Sequence, residues 1–335
     1  MSERCLRSWS ALTGVAPGLL ASAVIAAAAG FAATVLGGPI MLFALLLGLA
    51  MNFLADVDRC REGIDFTSKF VLRLGVALLG LNITVGEIAA LGWPPLLLVF
   101  TAISLTILTS IVVAKWMGFD ARFGLLSGGA TAICGASAAM ALSAALPSHP
   151  QKERATLFTV MGVSILSTVA MLCYPAIARL AGFDNAHAGI FIGATIHDVA
   201  QVVGAGFAFS PEAGNVATIV KLSRVVMLLP VILCVGIATR SATVDAAERP
   251  PLVPWFAAIF ALFVVINSIA PLPDMVRATG GSASRACLVT AIVALGTKTR
   301  FRELAAVGWR PVILIAFETV FVAAIALIAI SAHWV

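Results

Sequence analysis

Residues 192–206 read IGATIHDVAQVVGAG, which places His197 and Asp198 side by side inside an otherwise apolar, glycine-flanked segment. Thr195, Asp198 and Gln201 share one helical face by their i, i+3 spacing. An ionisable side chain at the centre of a membrane helix costs about 2.5–3.5 kcal/mol on insertion scales. The pair therefore either joins two helices through a buried polar network or carries a coupling ion, and the flanking glycines favour the second interpretation.

The composition around this stretch is that of an integral membrane protein. Of the 335 residues, 61% are hydrophobic and 11% are charged, against roughly 45–50% and 25% in a typical soluble domain. The mean hydropathy is +1.07 and the net charge is +5. Too few polar side chains are present to cover a water-soluble surface. These values exclude a secreted disulfide scaffold, a disordered chain, a coiled coil and a nucleic-acid-binding module, and they predict an all-α polytopic membrane protein.

Eleven apolar segments are candidates for membrane crossing, some of them shorter than the roughly 20 residues that a spanning helix needs. Lys and Arg collect in alternate loops, which predicts a cytoplasmic N-terminus and a periplasmic C-terminus. The positively charged loop at residues 148–154 would lie outside in this arrangement, unless the fifth and seventh segments re-enter the membrane. Whether these two segments span or re-enter stays open. The segments lie near residues 14–36, 39–54, 70–86, 94–117, 123–146, 155–180, 188–208, 215–239, 252–270, 285–297 and 311–333.

An internal repeat relates two parts of the chain. Residues 77–96 and 293–312 are identical at eight of twenty positions, including a shared Glu-x-Ala-Ala-x-Gly-Trp-x-Pro pattern. The first copy follows a segment that runs outward and the second follows one that runs inward, so the copies are inverted. Inverted repeats are typical of secondary transporters with a binding site near the membrane midplane. We therefore predict one transporter domain over residues 1–335, with repeat-related segments 66–117 and 282–333.

The fifth segment is rich in small residues. Residues 127–138 read SGGATAICGASA. Such a run either packs helices closely or breaks a helix so that freed N–H groups bind an anion. The glycines, together with the hydroxyl groups of Thr131 and Ser137, favour a broken helix. We predict the two broken segments at 123–146 and 188–208.

Two cations lie one turn apart in the eighth segment. Lys221 and Arg224 share a helical face with Thr218. Long basic side chains near a helix end often extend to the lipid headgroups. The predicted orientation, however, places this helix end outside, where Lys and Arg are disfavoured. Pairing with Asp198 or binding of an anionic substrate explains them better.

Several other features carry less information. Glu318 lies in the middle of the last segment, where it either pairs with a cation or faces a cavity. The six cysteines form no CxxC pair and are interpreted as small buried residues. No nucleotide-binding loop or sizeable soluble domain is present, which argues against an ATP-driven pump.

The motifs resemble the YeiH-type sulfate exporter family of bacterial inner-membrane proteins. The resemblance implies a multi-pass inner-membrane secondary transporter for inorganic sulfur oxyanions such as sulfate or sulfite, in some cases in a setting of taurine or sulfonate degradation. At the level of fold alone, the broken helices are similar to those of bile-acid symporters and sodium/proton antiporters. The motifs are LRLG at 72–75, TAICGASA at 131–138, IHDVAQVV at 196–203, KLSRV at 221–225 and ALGTKT at 294–299.

We therefore expect a transporter that exports sulfate or sulfite with proton or sodium coupling. The anion is held by backbone N–H groups around residues 129–135 and 193–195, and His197 and Asp198 couple the ion. No catalytic residue, metal or cofactor is expected. The predicted substrate-binding residues are Gly129, Thr131, Cys134, Gly135, Ser137, Gly193, Thr195, Gln201, Lys221 and Arg224.

Alternatives stay open at this point. The first alternative is a different transporter of similar fold: a cation/proton antiporter with Asp198 as the cation ligand, or a carboxylate or sulfonate symporter. An enzyme built on Cys134, His197 and Asp198 is disfavoured, since nothing in the sequence brings the three together. The expected partners are the substrate anion, a proton or sodium ion and the lipid bilayer. A homodimer is compatible with the sequence, and nucleic acid is not an expected partner.

Overall fold

The computed structural model of the protein describes residues 3–36, 40–147, 152–239, 255–270, 272–299 and 309–335. Within these ranges the chain is helical and contains no strand, which confirms the all-α prediction. The α-helices are α1 Glu3–Leu36, α2 Ile40–Ala50, α3 Asp58–Phe66, α4 Leu72–Leu79, α5 Val85–Ala90, α6 Pro94–Trp116, α7 Ala121–Ala132, α8 Ala136–Ala145, α9 Lys152–Leu180, α10 Asn185–Thr195, α11 Val199–Phe209, α12 Pro211–Val226, α13 Leu228–Thr239, α14 Trp255–Ile269, α15 Asp274–Lys298 and α16 Trp309–Ser331.

Six helical stretches among the described residues are long and apolar enough to cross a membrane. Shorter apolar helices accompany them at Ile40–Ala50, Val199–Phe209 and Ala258–Ile269. The protein is therefore a multi-pass membrane protein, as the composition predicts. The six are Gly14–Leu36, Pro94–Trp116, Arg154–Leu180, Pro211–Val235, Asp274–Lys298 and Trp309–Ser331.

The predicted transporter domain contains two compact units. Unit 1 comprises Met1–Ala89 and Trp255–Thr299, and unit 2 comprises Ala90–Pro254 and Arg300–Val335. Each copy of the sequence repeat runs from a helix of unit 1 into a helix of unit 2, from α4 to α6 and from α15 to α16. Part of the second copy, residues 300–308, lies outside the described residues. The loop positions 148–151 that disagreed with the orientation also lie outside them.

Unit 2 contains the two broken helices that the sequence predicts. The first runs from α7 to α8 and breaks at residues 133–135. There Gly135 has φ +64° and ψ −129°, a backbone conformation that glycine adopts most readily. The second runs from α10 to α11 and breaks at residues 196–198, where Ile196 and Asp198 are extended. These four short helices, α7, α8, α10 and α11, are called the half-helices below.

Three of the four half-helices begin with an aspartate cap. Asp120 caps α7, Asp184 caps α10 and Asp198 caps α11, each accepting a hydrogen bond from a backbone N–H of the first turn. In the loop before α10, the hydrogen bond from the His187 backbone N–H holds the pKa of Asp184 below its usual value. α8 differs, because Gly135 stands at its cap position and supplies no side chain. Its first amides therefore have no acceptor from a capping side chain.

In unit 1, α1 and α3 approach each other closely through two glycines. A Cβ atom added at Gly18 would overlap with the carbonyl oxygen of Cys60, and one added at Gly63 would overlap with the carbonyl oxygen of Val15. Backbones can come this close only where neither helix carries a side chain at the contact. This is the small-residue packing that membrane helices use in place of hydrophobic burial.

Gly18→Ala is expected to destabilise the protein because the added methyl group meets backbone atoms of α3 that cannot move aside. Overpacking of this kind costs about 1–3 kcal/mol. Gly30→Ala in the same helix is the matched control, since its new Cβ would meet nothing closer than the Cδ1 atom of Ile40 at 3.6 Å. Thermal unfolding of the purified proteins in detergent measures the difference, and equal melting temperatures for the two variants would contradict the packing argument.

Candidate functional site

The two breaks of unit 2 meet each other. A Cβ atom at Gly135 would lie 3.6 Å from the Cβ atom of His197, so the first break rests against the second. Breaking two helices at the same place buries backbone groups that have no partner within their own helices. The region formed by residues 133–135 and 196–198, with Lys221 and Arg224 of α12, is called the junction below.

Lys221 satisfies one carbonyl group from each break. Its Nζ atom donates to the Ile133 carbonyl oxygen at 2.7 Å and to the Ile196 carbonyl oxygen at 2.9 Å. The side chain is fully buried. The carboxyl end of a helix carries a partial negative charge, so an ammonium group between two such ends is favourably placed.

Arg224, one turn further along α12, also donates to backbone carbonyls at the two breaks. Its guanidinium group donates five hydrogen bonds of 2.6–3.1 Å to backbone carbonyl groups. A guanidinium group has five N–H donors, so none is left over in this arrangement. Arg224 is 1% exposed. It therefore links the carboxyl ends of α7 and α10 into one rigid element. The acceptors are the carbonyl oxygens of Thr131, Ala132, Gly193 and Ile196.

The structure corrects the expected position of the anion-binding amides. Residues 129–132 and 193–195 lie in the carboxyl-terminal turns of α7 and α10, where the free backbone groups are carbonyls. The amide of Gly135 donates to the Ala130 carbonyl at 2.8 Å and is also occupied. The free amides near the first break instead belong to the opening turn of α8, at residues 136–138.

Around the start of α8, the side chain of Ser137 is exposed. Its hydroxyl group lies 3.0 Å from the Cys134 carbonyl oxygen and 3.1 Å from the Cys134 sulfur atom. The Cys134 side chain itself is buried. The amino end of α8 thus combines a partial positive charge, an accessible hydroxyl group and no acidic cap.

The amino end of α11 is arranged differently. The Asp198 carboxylate caps it by accepting from the Ala200 amide at 2.8 Å, and it also interacts electrostatically with Lys221. The amides of His197 and Asp198 donate to the hydroxyl oxygen of Ser167 in α9, at 3.2 and 3.1 Å. The Asp198 carboxyl group therefore already occupies the position where an anion would bind.

The His197 ring is fully buried and connects the junction to α16. Its Nε2 atom lies 3.0 Å from the Thr319 hydroxyl oxygen, which itself donates to the Ile315 carbonyl at 2.7 Å. Because a hydroxyl group has one proton, Nε2 must be the donor to Thr319. The Thr131 carbonyl lies near the ring but is held by Arg224, and within the described residues no atom is in hydrogen-bonding geometry to Nδ1.

Glu318 lies next to this contact and is 1% exposed. Hydroxyl groups from two other helices surround its carboxyl group: those of Ser110 in α6 and of Ser127 and Thr131 in α7. Thr131 belongs to both clusters, since its hydroxyl group contacts Glu318 and its carbonyl group accepts from Arg224. The buried carboxyl group and the junction are thus joined through one residue.

The remaining predicted residues pack or bond locally. A Cβ atom at Gly129 would overlap with Leu142, and one at Gly193 would lie 2.6 Å from the Ala217 carbonyl oxygen, so both glycines allow close helix contacts. Thr195 donates back to the Phe191 carbonyl at 2.6 Å. The Gln201 amide nitrogen donates to the Thr168 hydroxyl at 2.9 Å, whereas its oxygen has no partner among the described residues.

The residues that sequence reasoning did not identify are mostly hydroxyl-bearing. Ser110, Ser127, Ser167 and Thr319 each bond to a predicted residue or to Glu318. A single Ser or Thr in an apolar helix gives no distinct signal, because its hydroxyl group can always bond back to its own helix. The adjacent pair Glu318-Thr319 in the last segment was the one feature that could have indicated them.

A family profile described as "Conserved hypothetical protein 698" matches residues 17–315. A UPF0324 membrane protein of Chlorobaculum tepidum is 49% identical over 314 residues, covering 93% of this chain and 88% of its own. The UPF0324 membrane protein TauZ of Paracoccus denitrificans is 49% identical, covering 92% of each chain. A UPF0324 membrane protein of Rhizobium meliloti is 48% identical, covering 96% of this chain and 94% of its own. No solved structure matches.

Arg224→Ala is expected to destabilise the protein strongly, because it leaves buried carbonyl groups of two helix ends without donors. Removing one partner from a buried charged cluster costs about 3–5 kcal/mol. Arg179→Ala is the matched control. Arg179 also donates to helix-end carbonyls, those of Ala208 and Phe209, but it is exposed, and such contacts contribute about 0–1 kcal/mol.

Thermal unfolding of both variants in detergent tests this prediction, with Arg224→Lys as an intermediate case that keeps the charge but not the fork of donors. The role assigned to Arg224 is incorrect if the Arg224→Ala and Arg179→Ala proteins unfold at the same temperature.

Proposed function

The chain belongs to the family described as conserved hypothetical protein 698, and from this premise we propose that it is a secondary transporter of small inorganic sulfur oxyanions. The observation that carries the proposal is the amino end of α8, which has an exposed serine, Ser137, and no acidic cap, whereas the neighbouring end of α11 has an acidic cap. The free amides of such an end attract anions.

The charges of the junction support an anionic substrate. Counted as a lysine cation, an arginine cation and an aspartate carboxylate, Lys221, Arg224 and Asp198 together carry an excess of one positive charge in this proposal. Both side chains donate to backbone carbonyls in this conformation, Arg224 with all five of its N–H groups and Lys221 with two of its three. They act at a distance, through a field that is weakly screened in a buried site.

The proposed binding group is therefore the first turn of α8. The amides of Ala136, Ser137 and Ala138 supply the donors, and the Ser137 hydroxyl group can turn from Cys134 toward the anion. A tetrahedral oxyanion suits several donors that point to one place. The choice of sulfate or sulfite rests on the motif resemblance, as does the proposed location in a bacterial inner membrane.

Coupling to a proton or a sodium ion is proposed because the site contains ionisable groups, which transport of an anion alone would not require. His197 and Asp198 lie at the second break, and His197 is bonded to α16 through Thr319. Export of a divalent anion is favoured by a membrane potential that is negative inside. All of these residues lie in unit 2, which thus contains the complete candidate site.

Uptake of labelled sulfate and sulfite into proteoliposomes under an imposed pH gradient tests the proposed function. We expect protein-dependent uptake of at least one of the two anions, with competition by the other. Sodium- or proton-linked flux without anion uptake would instead identify a cation/proton antiporter. Uptake of a carboxylate or an organic sulfonate but of neither inorganic anion would identify an organic-anion symporter.

Ser137→Asp tests the position of the anion. A carboxylate in the first turn of α8 is compatible with the helix dipole, so folding is expected to be retained. The same charge repels an anion from the free amides, so uptake is expected to fall by at least about tenfold, which corresponds to 1.4 kcal/mol. Ser137→Asn is the matched control, because it has the same shape without the charge. Equal uptake by the two variants would place the anion elsewhere.

A further inference from the structure

The carboxyl group of Glu318 is a buried titratable group that the transport mechanism above does not use. Within the described residues, no Lys, Arg or His nitrogen forms an ion pair with it. Its nearest polar neighbours are hydroxyl groups: Ser110 and Ser127 contact Oε1, the latter at 2.7 Å, and Thr131 contacts Oε2 at 2.8 Å. An ionised carboxylate without a counter-ion is strongly disfavoured in such an interior, because burial removes its hydration.

The protons in this cluster can be counted. The Ser110 hydroxyl oxygen lies 2.7 Å from the Gly124 carbonyl oxygen, which can only accept, and it is also in short contact with Oε1 of Glu318. A hydroxyl group has one proton, so Ser110 cannot donate to both. If Glu318 carries a proton on Oε1, it donates to Ser110 and Ser110 donates to Gly124. Both short contacts of Ser110, to Gly124 and to Glu318, can be hydrogen bonds at the same time only if the carboxyl group is protonated.

The same geometry disfavours a metal cation. The oxygen atoms around Glu318 lie 2.5–2.8 Å from its carboxyl oxygens. A hard cation the size of Ca²⁺ lies about 2.3–2.6 Å from each ligand, so two ligands at a right angle are roughly 3.4 Å apart. The cluster is closed on itself by hydrogen bonds and leaves no position for such an ion among these atoms.

Among the described residues, the titratable side chains around Glu318 are connected to it through at least one intervening residue. Tyr174 of α9 donates to the Thr319 carbonyl at 3.3 Å, and His197 bonds to the Thr319 hydroxyl group. Arg224 and, beyond it, Lys221 are reached through the Thr131 carbonyl group. Thr131 therefore lies between Glu318 and the junction, close enough for a charge on Glu318 to act on Arg224. No ion pair among the described residues neutralises the carboxyl group itself.

We propose that Glu318, rather than His197 or Asp198, carries the coupled proton of this transporter and that its proton controls anion binding at the junction. With Glu318 ionised, its charge cancels the excess positive charge left by Lys221, Arg224 and Asp198. With Glu318 protonated, the excess returns and the site attracts an anion. On release, the O–H bond at Oε1 breaks, the electron pair stays on the carboxylate and water accepts the proton as hydronium. The coupling role rests on the proposed transport function, but the protonation of Glu318 does not.

Infrared spectroscopy of the reconstituted protein tests the protonation by itself. At neutral pH we expect a carboxylic-acid C=O stretching band that is absent from Glu318→Gln and present in Glu212→Gln. Glu212 is a matched control, because it is an exposed carboxylate in the first turn of α12. Ser110→Ala is expected to shift the band, since it removes the acceptor of the proton while keeping the carboxyl group. Identical spectra for the wild-type and Glu318→Gln proteins overturn the proposal, as does loss of the band when sodium replaces choline.

Transport measurements test the coupling. With one proton per anion and the membrane potential clamped at zero, a gradient of one pH unit supports about tenfold accumulation. Glu318→Gln, which is permanently neutral, is expected to retain exchange of anion across the membrane while its accumulation falls to about the level without a gradient. Accumulation that survives in Glu318→Gln but is lost in Asp198→Asn overturns the proposal and assigns coupling to Asp198.

The two hypotheses fail in different ways. Absence of anion uptake by the wild-type protein, with the Glu318 infrared band intact, contradicts the proposed transport function and with it the coupling role, and leaves a proton site of another purpose. Anion uptake with no Glu318 band contradicts the present inference alone. Glu318→Gln preserves the size of the side chain, and Ser110→Ala provides a second variant if the first does not fold.

Discussion

The structure of unit 2 depends on one requirement: the carbonyl groups that two interrupted helices expose in the interior must find donors. α7 and α10 both end inside the protein, and their last carbonyls are removed from water. Unsatisfied buried carbonyls are costly, and two negative helix ends placed together are worse. Lys221 and Arg224, one turn apart in α12, donate hydrogen bonds to these carbonyls and place positive charge between the two helix ends. The close contact of α10 with α12, for which Gly193 leaves room, follows from the need to bring these side chains within reach.

The two amino ends that leave the junction have different electrostatic character. α11 begins with the carboxyl group of Asp198, whereas α8 begins with Gly135 and has no acidic side chain at its cap position. The amino end of α11 is therefore occupied by its own capping side chain, whereas the amino end of α8 has no capping side chain. The hydroxyl cluster around Glu318 adds a group whose charge can change, connected to the junction through Thr131. In the proposed mechanism, the pair Lys221 and Arg224, the uncapped amino end of α8 and the Glu318 carboxyl group together relate anion binding to proton binding.

Much of this organisation could be predicted from the sequence, and the remainder depends on contacts that a sequence does not encode locally. The interruptions were predictable because glycines and an adjacent His-Asp pair are unusual in apolar segments. The importance of Lys221 and Arg224 was predictable, but their partners were not, because every residue has a carbonyl group and only the position of a helix end makes one available. The partners of Glu318 lie on helices up to 208 residues away, and serine in an apolar helix carries no signal of its own.

The bridging role of Arg224 has a consequence for biosynthesis. Arg224 bonds to a carbonyl group 92 residues earlier in the chain. At a synthesis rate of about 5–20 residues per second, the end of α7 leaves the ribosome roughly 5–20 s before the arginine that satisfies it. During that interval the carbonyl end of α7, joined later by the end of α10 only 28 residues before Arg224, must be accommodated by water, lipid headgroups or the insertion machinery. The nascent protein therefore passes through a stage in which the two helix ends that Arg224 later links are both in place and still lack their donor.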